Sequence, residues 1–137
     1  MILLTPQQRF ALRANAVSAH IAEATGEVFD PVPVVKFFNP LGAATWLATE
    51  LYDDGDTLFG LADLGFGCPE LGVFSLAEIA GVVLPFGLGI ERDIGFSTPI
   101  CLSVWADTAR RSGSILFAET LLRRAARGDG SDLPPGS

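Results

Sequence analysis

Between Val32 and Asp63 the apolar residues fall into three runs, VPVVKFF, ATWLATEL and TLFGLAD, separated by two turn signals. In Asn39-Pro40-Leu41-Gly42 the proline presets φ and the glycine tolerates positive φ. Asp53-Asp54-Gly55-Asp56 is the second signal. The pattern predicts a three-stranded antiparallel meander around which the rest of the chain is organised. Pairing Tyr52 with Thr57 sets Glu50 opposite Phe59, Ala48 opposite Leu61 and Trp46 opposite Asp63. Pairing Phe38 with Ala44 sets Lys36 opposite Trp46. Side chains alternate along a strand. One face is therefore expected to carry Val35, Phe37, Leu47, Leu51, Leu58 and Ala62. The other is expected to carry Lys36, Trp46, Glu50, Tyr52 and Asp63. The oily face is the one that helices would cover.

Outside this stretch the spacing turns helical. Residues 5–23 predict a first helix: Thr5 is a good N-cap, Pro6 suits the first helical position and Gln8 completes a capping box. Phe10, Leu12, Ala14, Val17 and Ile21 give it an imperfect apolar stripe, and Gly26 ends it. Leu64–Gly72 reads as a loop. Phe74-Ser75-Leu76-Ala77-Glu78-Ile79 predicts a short helix, with Ser75 and Glu78 as a capping box and Phe74 stapled to Ile79. Residues 81–89 read as a loop anchored by Val82, Leu84, Phe86 and Leu88. Residues 90–96 are a short charged edge strand or extended segment. Ser103 is expected to cap a third helix that Gly113 closes, and residues 114–127 continue as another. There Glu119 stands four residues before Arg123, a favourable helical pair. The expectation is a single α+β domain over residues 1–127, a small antiparallel meander packed on one face by N-terminal and C-terminal helices. A flexible tail is expected over 128–137.

Composition narrows the class. The chain has 137 residues, 49% of them hydrophobic, which suits one folded domain and excludes a disordered one. No apolar run approaches the ~20 residues that span a bilayer. The opening MILLTPQQR lacks the pattern of a signal peptide. Two cysteines, Cys68 and Cys101, are too few for a disulfide framework or a zinc site. These features imply a reduced, cytoplasmic protein. The net charge of −7 is uneven: residues 27–102 hold eleven acids against Lys36 and Arg92. Residues 103–127 hold five arginines against Asp107 and Glu119. An acidic middle argues against duplex DNA binding, because that affinity comes from neutralising phosphates.

No catalytic motif stands out. The glycines of Leu64–Gly72 match no phosphate-binding pattern, and His20, the one histidine, has only Glu23 near it on its helix. The best catalytic candidates are Lys36, Glu50, Asp63, Glu91, Arg92 and Asp93. Carboxylates beside a basic group can hold a divalent metal or run acid–base chemistry. That role requires Glu91 or Asp93 to lie against the sheet's polar face. The plainer account is a structural network in which Lys36 extends its tip to water. For partner binding the candidates are Trp46, Glu50, Tyr52, Asp53, Asp54 and Asp56. Closely spaced carboxylates on a hairpin can meet a basic groove or imitate a row of phosphates. More often they form a solvated turn.

The runs VPVVKFFNPLGAATWLATEL, FGLADLGFGCPELGVFSLAEI and LGIERDIGF, with the opening LLTPQQRFALRANAVSAH, resemble the family called domain of unknown function 2958. The resemblance covers about residues 3–112. It implies a protein common on bacterial conjugative plasmids, integrative elements and phage-like regions. Its recurring polar positions fall on Lys36, Trp46, Thr49, Glu50, Glu91, Arg92 and Asp93, and no catalytic roles come with them. Three functions are expected in order. The first is a non-enzymatic accessory protein of a mobile element that binds a protein partner, a basic nucleic-acid-handling one, and inhibits a host defence nuclease. The second is a metal-dependent single-stranded DNA endonuclease, the one reading that calls for a divalent metal. The third is a single-stranded nucleic-acid-binding accessory protein using Trp46, Tyr52 and the arginines of 110–127. An open sheet edge or residues 114–126 would serve a homodimer.

Overall fold

The computed structural model describes residues 1–128, so the expected tail lies, Gly128 apart, outside the described residues. Five strands form one antiparallel sheet: β1 (Val35–Phe38), β2 (Thr45–Leu51), β3 (Thr57–Asp63), β4 (Glu70–Ser75) and β5 (Glu91–Arg92). Their order in space is β4-β3-β2-β1-β5. Helix α1 (Pro6–Thr25) precedes the sheet, the short α2 (Leu76–Ala80) follows β4, and α3 (Leu102–Ser112) and α4 (Ile115–Ala126) close the domain. The chain is an α+β protein with N-terminal and C-terminal helices against its sheet. No described helix is long and apolar enough to cross a membrane.

Both expected reversals are present. The Asn39 amide donates to Ala44 O at 3.0 Å, and the Tyr52 amide donates to Thr57 O at 2.8 Å. Gly55 supplies the positive φ of the second turn, at 72°. The register differs from the expectation. β1 sits one residue over, with Lys36 opposite Leu47 and Phe38 opposite Thr45. In the second hairpin Glu50 does face Phe59, but a bulge between Ala48 and Glu50 then shifts the ladder. Beyond it Ala48 faces Gly60 and Trp46 faces Ala62. The bulge leaves Thr49 as the extra residue. Close approach explains the glycine: a Cβ on Gly60 would lie 1.8 Å from the Leu47 carbonyl oxygen.

These two shifts redistribute the faces. Trp46 and Ala48 join Val35, Phe37, Leu51 and Leu58 in a cluster with Leu3, Leu4 and Leu12. Leu47 and Leu61 belong to a second cluster with Trp105, Ala109, Ile115, Ala118 and Leu122. Successive residues of one strand alternate between the clusters, so the helices divide between the two faces rather than sharing one. The polar face expected for Lys36, Trp46 and Asp63 does not exist, because all three are buried. β2 is buried at nearly every position. A strand covered on both faces reads as a continuous apolar run.

The helix ends follow local chemistry. In α1 the Thr5 hydroxyl accepts from the Gln8 amide and the Gln8 side chain accepts from the Thr5 amide. Ser75 Oγ caps α2 through the Glu78 amide at 3.1 Å, and Ser114 Oγ caps α4 through the Phe117 amide at 2.9 Å. The cap of α3 departs from the expectation. Its N-cap is Cys101, which caps nothing with its side chain, and Asp30 reaches across instead. The Asp30 carboxylate accepts the Ser103 amide at 3.0 Å and the Ser103 hydroxyl. Burial pushes this carboxyl up, but the two Ser103 bonds together with one from the Cys101 thiol outweigh it and hold it below the usual aspartate range. The chain Glu70–Ser75, expected as loop and helix lead-in, is the edge strand β4. Phe86, expected as an anchor, is 92% exposed at φ 65°, so it anchors nothing.

Candidate functional site

The constellation expected around Lys36 separates into three structural devices. Lys36 projects from β1 toward α4 and is 7% exposed. Its Nζ donates to both oxygens of Glu119 at 3.0 and 3.1 Å and lies 3.4 Å from Asp93. Arg123 closes the network at 3.7 Å from Glu119, the helical pair expected from the spacing. Lys36 therefore pins α4 and the segment after β5 to the sheet, and its tip does not reach water. Asp63, fully buried, accepts the Gly65 amide at 2.8 Å and the Ile115 amide at 2.9 Å. A carboxylate at a helix start satisfies an orphan N–H and complements the dipole, so Asp63 is a cap for α4. Arg92 donates to the Ile2 carbonyl at 2.6 Å and holds the N-terminal residues against β5, where Glu91 pairs with Phe38. Glu50 meets none of these residues. Among the described residues, no group of three or more His, Cys, Asp or Glu is placed to hold a metal ion.

The acidic hairpin is also partly consumed by the fold. Asp54 accepts the amides of Asp56 and Thr57 at 2.8 Å each and the Thr57 hydroxyl at 2.6 Å. Those bonds, led by the Thr57 hydroxyl, hold its carboxyl below the usual range. Asp56 accepts the Ser75 hydroxyl at 2.7 Å and the Ala77 amide at 2.8 Å, tying the turn to α2. Trp46 is 8% exposed in the core and cannot meet a partner. Of the expected partner-binding residues, Glu50, Tyr52 and Asp53 remain.

Those three line an open cleft of about 460 Å³ between the end of β2 and α1. Its origin is a difference in strand length. The β1 ladder stops at Val35 opposite Ala48, which frees the β2 carbonyls beyond it. Asn15 of α1 donates to Thr49 O at 2.9 Å, and Arg13 donates to Leu51 O at 2.7 Å. Helix α1 thus stands where β1 would have continued. The same helix contributes Arg13, His20 and Glu23 to the cleft wall. Burial pushes the Glu50 carboxyl up. Burial, then the negative charges of Glu50 and Glu23, push the Tyr52 phenol up. Among the described residues neither the Glu50 nor the Asp53 side chain has a hydrogen-bond or ion-pair partner. An excess of unpaired carboxylate in a partly desolvated cleft fits a cation, an ammonium or a guanidinium.

The sequence does carry a signal for the helical wall. Arg13, Ala16, His20 and Glu23 recur at intervals of three and four, which puts them on one stripe of α1. Read one at a time, they pass for solvated helix surface.

The family described as protein of unknown function (DUF2958) matches residues 3–116. The chain belongs to this family. No similar curated protein was found, and no similar solved structure. The match spans α1, the whole sheet and α3, so the cleft is built entirely within the DUF2958 region.

Proposed function

We propose that this DUF2958 protein is a non-enzymatic accessory protein of bacterial mobile elements that binds a basic segment of a protein partner in the Glu23–Glu50–Asp53 cleft. One observation carries the reading: the side chains of Glu50 and Asp53 have no partner among the described residues and line an open cleft, while Lys36, Asp63, Arg92 and Asp93 are occupied in holding the fold. A cationic side chain entering the cleft would relieve the desolvation of Glu50 and leave the fold's own ion pairs intact. Partners of that chemistry include proteins that handle nucleic acids, a defence nuclease among them. Covering the basic groove of such an enzyme would inhibit it without any catalysis. The endonuclease alternative would need Glu50 beside Glu91 or Asp93. Glu50 and Asp93 line different clefts.

The test is direct binding, followed by identification of the partner. A fluorescent peptide rich in arginine should bind the full chain, and a glutamate-rich one should not. The double substitution E50Q and D53N should weaken that binding about ten-fold, the scale expected when two carboxylate acceptors become neutral amides. The same double variant should lose the partner that the wild-type chain captures from its native host. Equal capture by both proteins would rule out the cleft.

A further inference from the structure

Helix α1 leaves an apolar seam on its outer side. Phe10 is 78% exposed, Val17 50% and Ile21 55%, and Ala14 between them is exposed as well. Only Leu12 and Ala22 of this helix are buried. The four outward residues recur at intervals of four, three and four, which is the spacing of a coiled-coil seam. A helix that served only the sheet would carry polar residues there.

We infer that α1 pairs antiparallel with α1 of a second copy of this chain, about a two-fold axis crossing the seam between Ala14 and Val17. Two features select this occupant. First, the seam is symmetric under reversal: Phe10 meets Ile21 of the other copy, and Ala14 meets Val17. Second, charge divides along the flank of the seam. Arg9 and Arg13 belong to the first half of the helix and Glu23 to the second. Antiparallel pairing sets the basic half of each copy against the acidic half of the other. Parallel pairing would oppose arginine to arginine, which is unfavourable. A uniformly basic partner helix would meet Arg9 and Arg13, and a uniformly acidic one would meet Glu23. A second copy matches both halves in a closed, isologous interface. Val17 and Glu23 also line the partner cleft, so a second copy and a basic segment would compete there; the two readings stay distinguishable, since self-association is read as a mass and partner binding as capture of another protein.

The experiment is sedimentation of the full chain over a range from micromolar to several hundred micromolar. The mass should rise from one copy to two. V17E places a charge in the seam of both copies and should weaken the dimer by about a hundred-fold or more, with an unchanged helical spectrum. R9E and E23R should each weaken it about five-fold. The combination R9E with E23R, which swaps the pair in both copies, should restore most of the loss. A wild-type chain that stays monomeric overturns the proposal. So does a dimer indifferent to V17E, and a charge-swapped variant weaker than either single one overturns the antiparallel arrangement.

Discussion

The two ends of the sequence use the same residue types in opposite ways. On the side of α3 and α4 the buried apolar residues pack on Leu47 and Leu61, with Leu116 and Phe117 left exposed, and each nearby carboxylate has a donor: Asp63 the Ile115 amide, Asp30 the Ser103 amide, Glu119 the Lys36 ammonium. On the side of α1, Phe10, Val17 and Ile21 face outward, and Glu50 and Asp53 have no such donor among the described residues. Carboxylates that complete a backbone are part of the fold. Carboxylates and apolar side chains that complete nothing are what the molecule has left to offer another one. The contrast between carboxylates is what supports the proposed cleft beside α1.

The largest expected effect strikes the sheet that both sides share. G60A would force a methyl group to within 1.8 Å of the Leu47 carbonyl oxygen unless the bulged hairpin moves. Overpacking against backbone should cost about 3 kcal/mol or more, seen as a lowered urea midpoint. A near-neutral result would mean that the β2–β3 register is not the one described. Next in size comes a direct comparison of two aspartates. D63A strips the buried Ile115 amide and the part-buried Gly65 amide of their acceptor and should cost about 2–3 kcal/mol. D53N, in the open cleft, should stay within about 0.5 kcal/mol of wild type. If the two variants lose equal stability, the division between fold and function fails.

How much of this was legible beforehand follows the same division. Local chemistry was readable: both turns, the caps at Thr5 and Ser75, the Gly26 and Gly113 endings, and the Glu119–Arg123 pair all stand where the residues put them. What alternation could not give was the register. Where both faces of a strand are buried the period-two signal vanishes, and β2 is such a strand. A bulge at Thr49 then reverses the faces of Trp46, Leu47 and Ala48 relative to Leu51. Lys36 misled for a related reason: a lysine in an apolar run looks like a tip seeking water, and its partner Glu119 lies 83 residues away. The cleft was half legible, as Glu50, Tyr52 and Asp53. Its other wall comes from a helix whose outward apolar stripe looked like core.

The smallest expected effect sharpens the comparison most, because it reverses sign between a carboxylate without a donor and carboxylates that complete the backbone. Burial raises the Glu50 carboxyl above the ordinary 4.5, so its neutral form favours the fold. That contribution is complete below the unfolded-state value and is lost as pH rises through the raised folded-state value. Asp30 and Asp54 are held below the ordinary 3.8. Their contribution is present above that value and is lost as pH falls through their lowered ones. E50Q is neutral at every pH and should therefore gain on wild type from about pH 4.5 upward. The gain should level off near neutrality at no more than about 1 kcal/mol, because the cleft is open to water. Urea midpoints of the two proteins across that range would read it. A difference that stays flat with pH would show that Glu50 is not desolvated in the free protein. A cation seated in the cleft should abolish the difference by favouring the charged form, so repeating the titration with the arginine-rich peptide present joins this stability measurement to the binding reading.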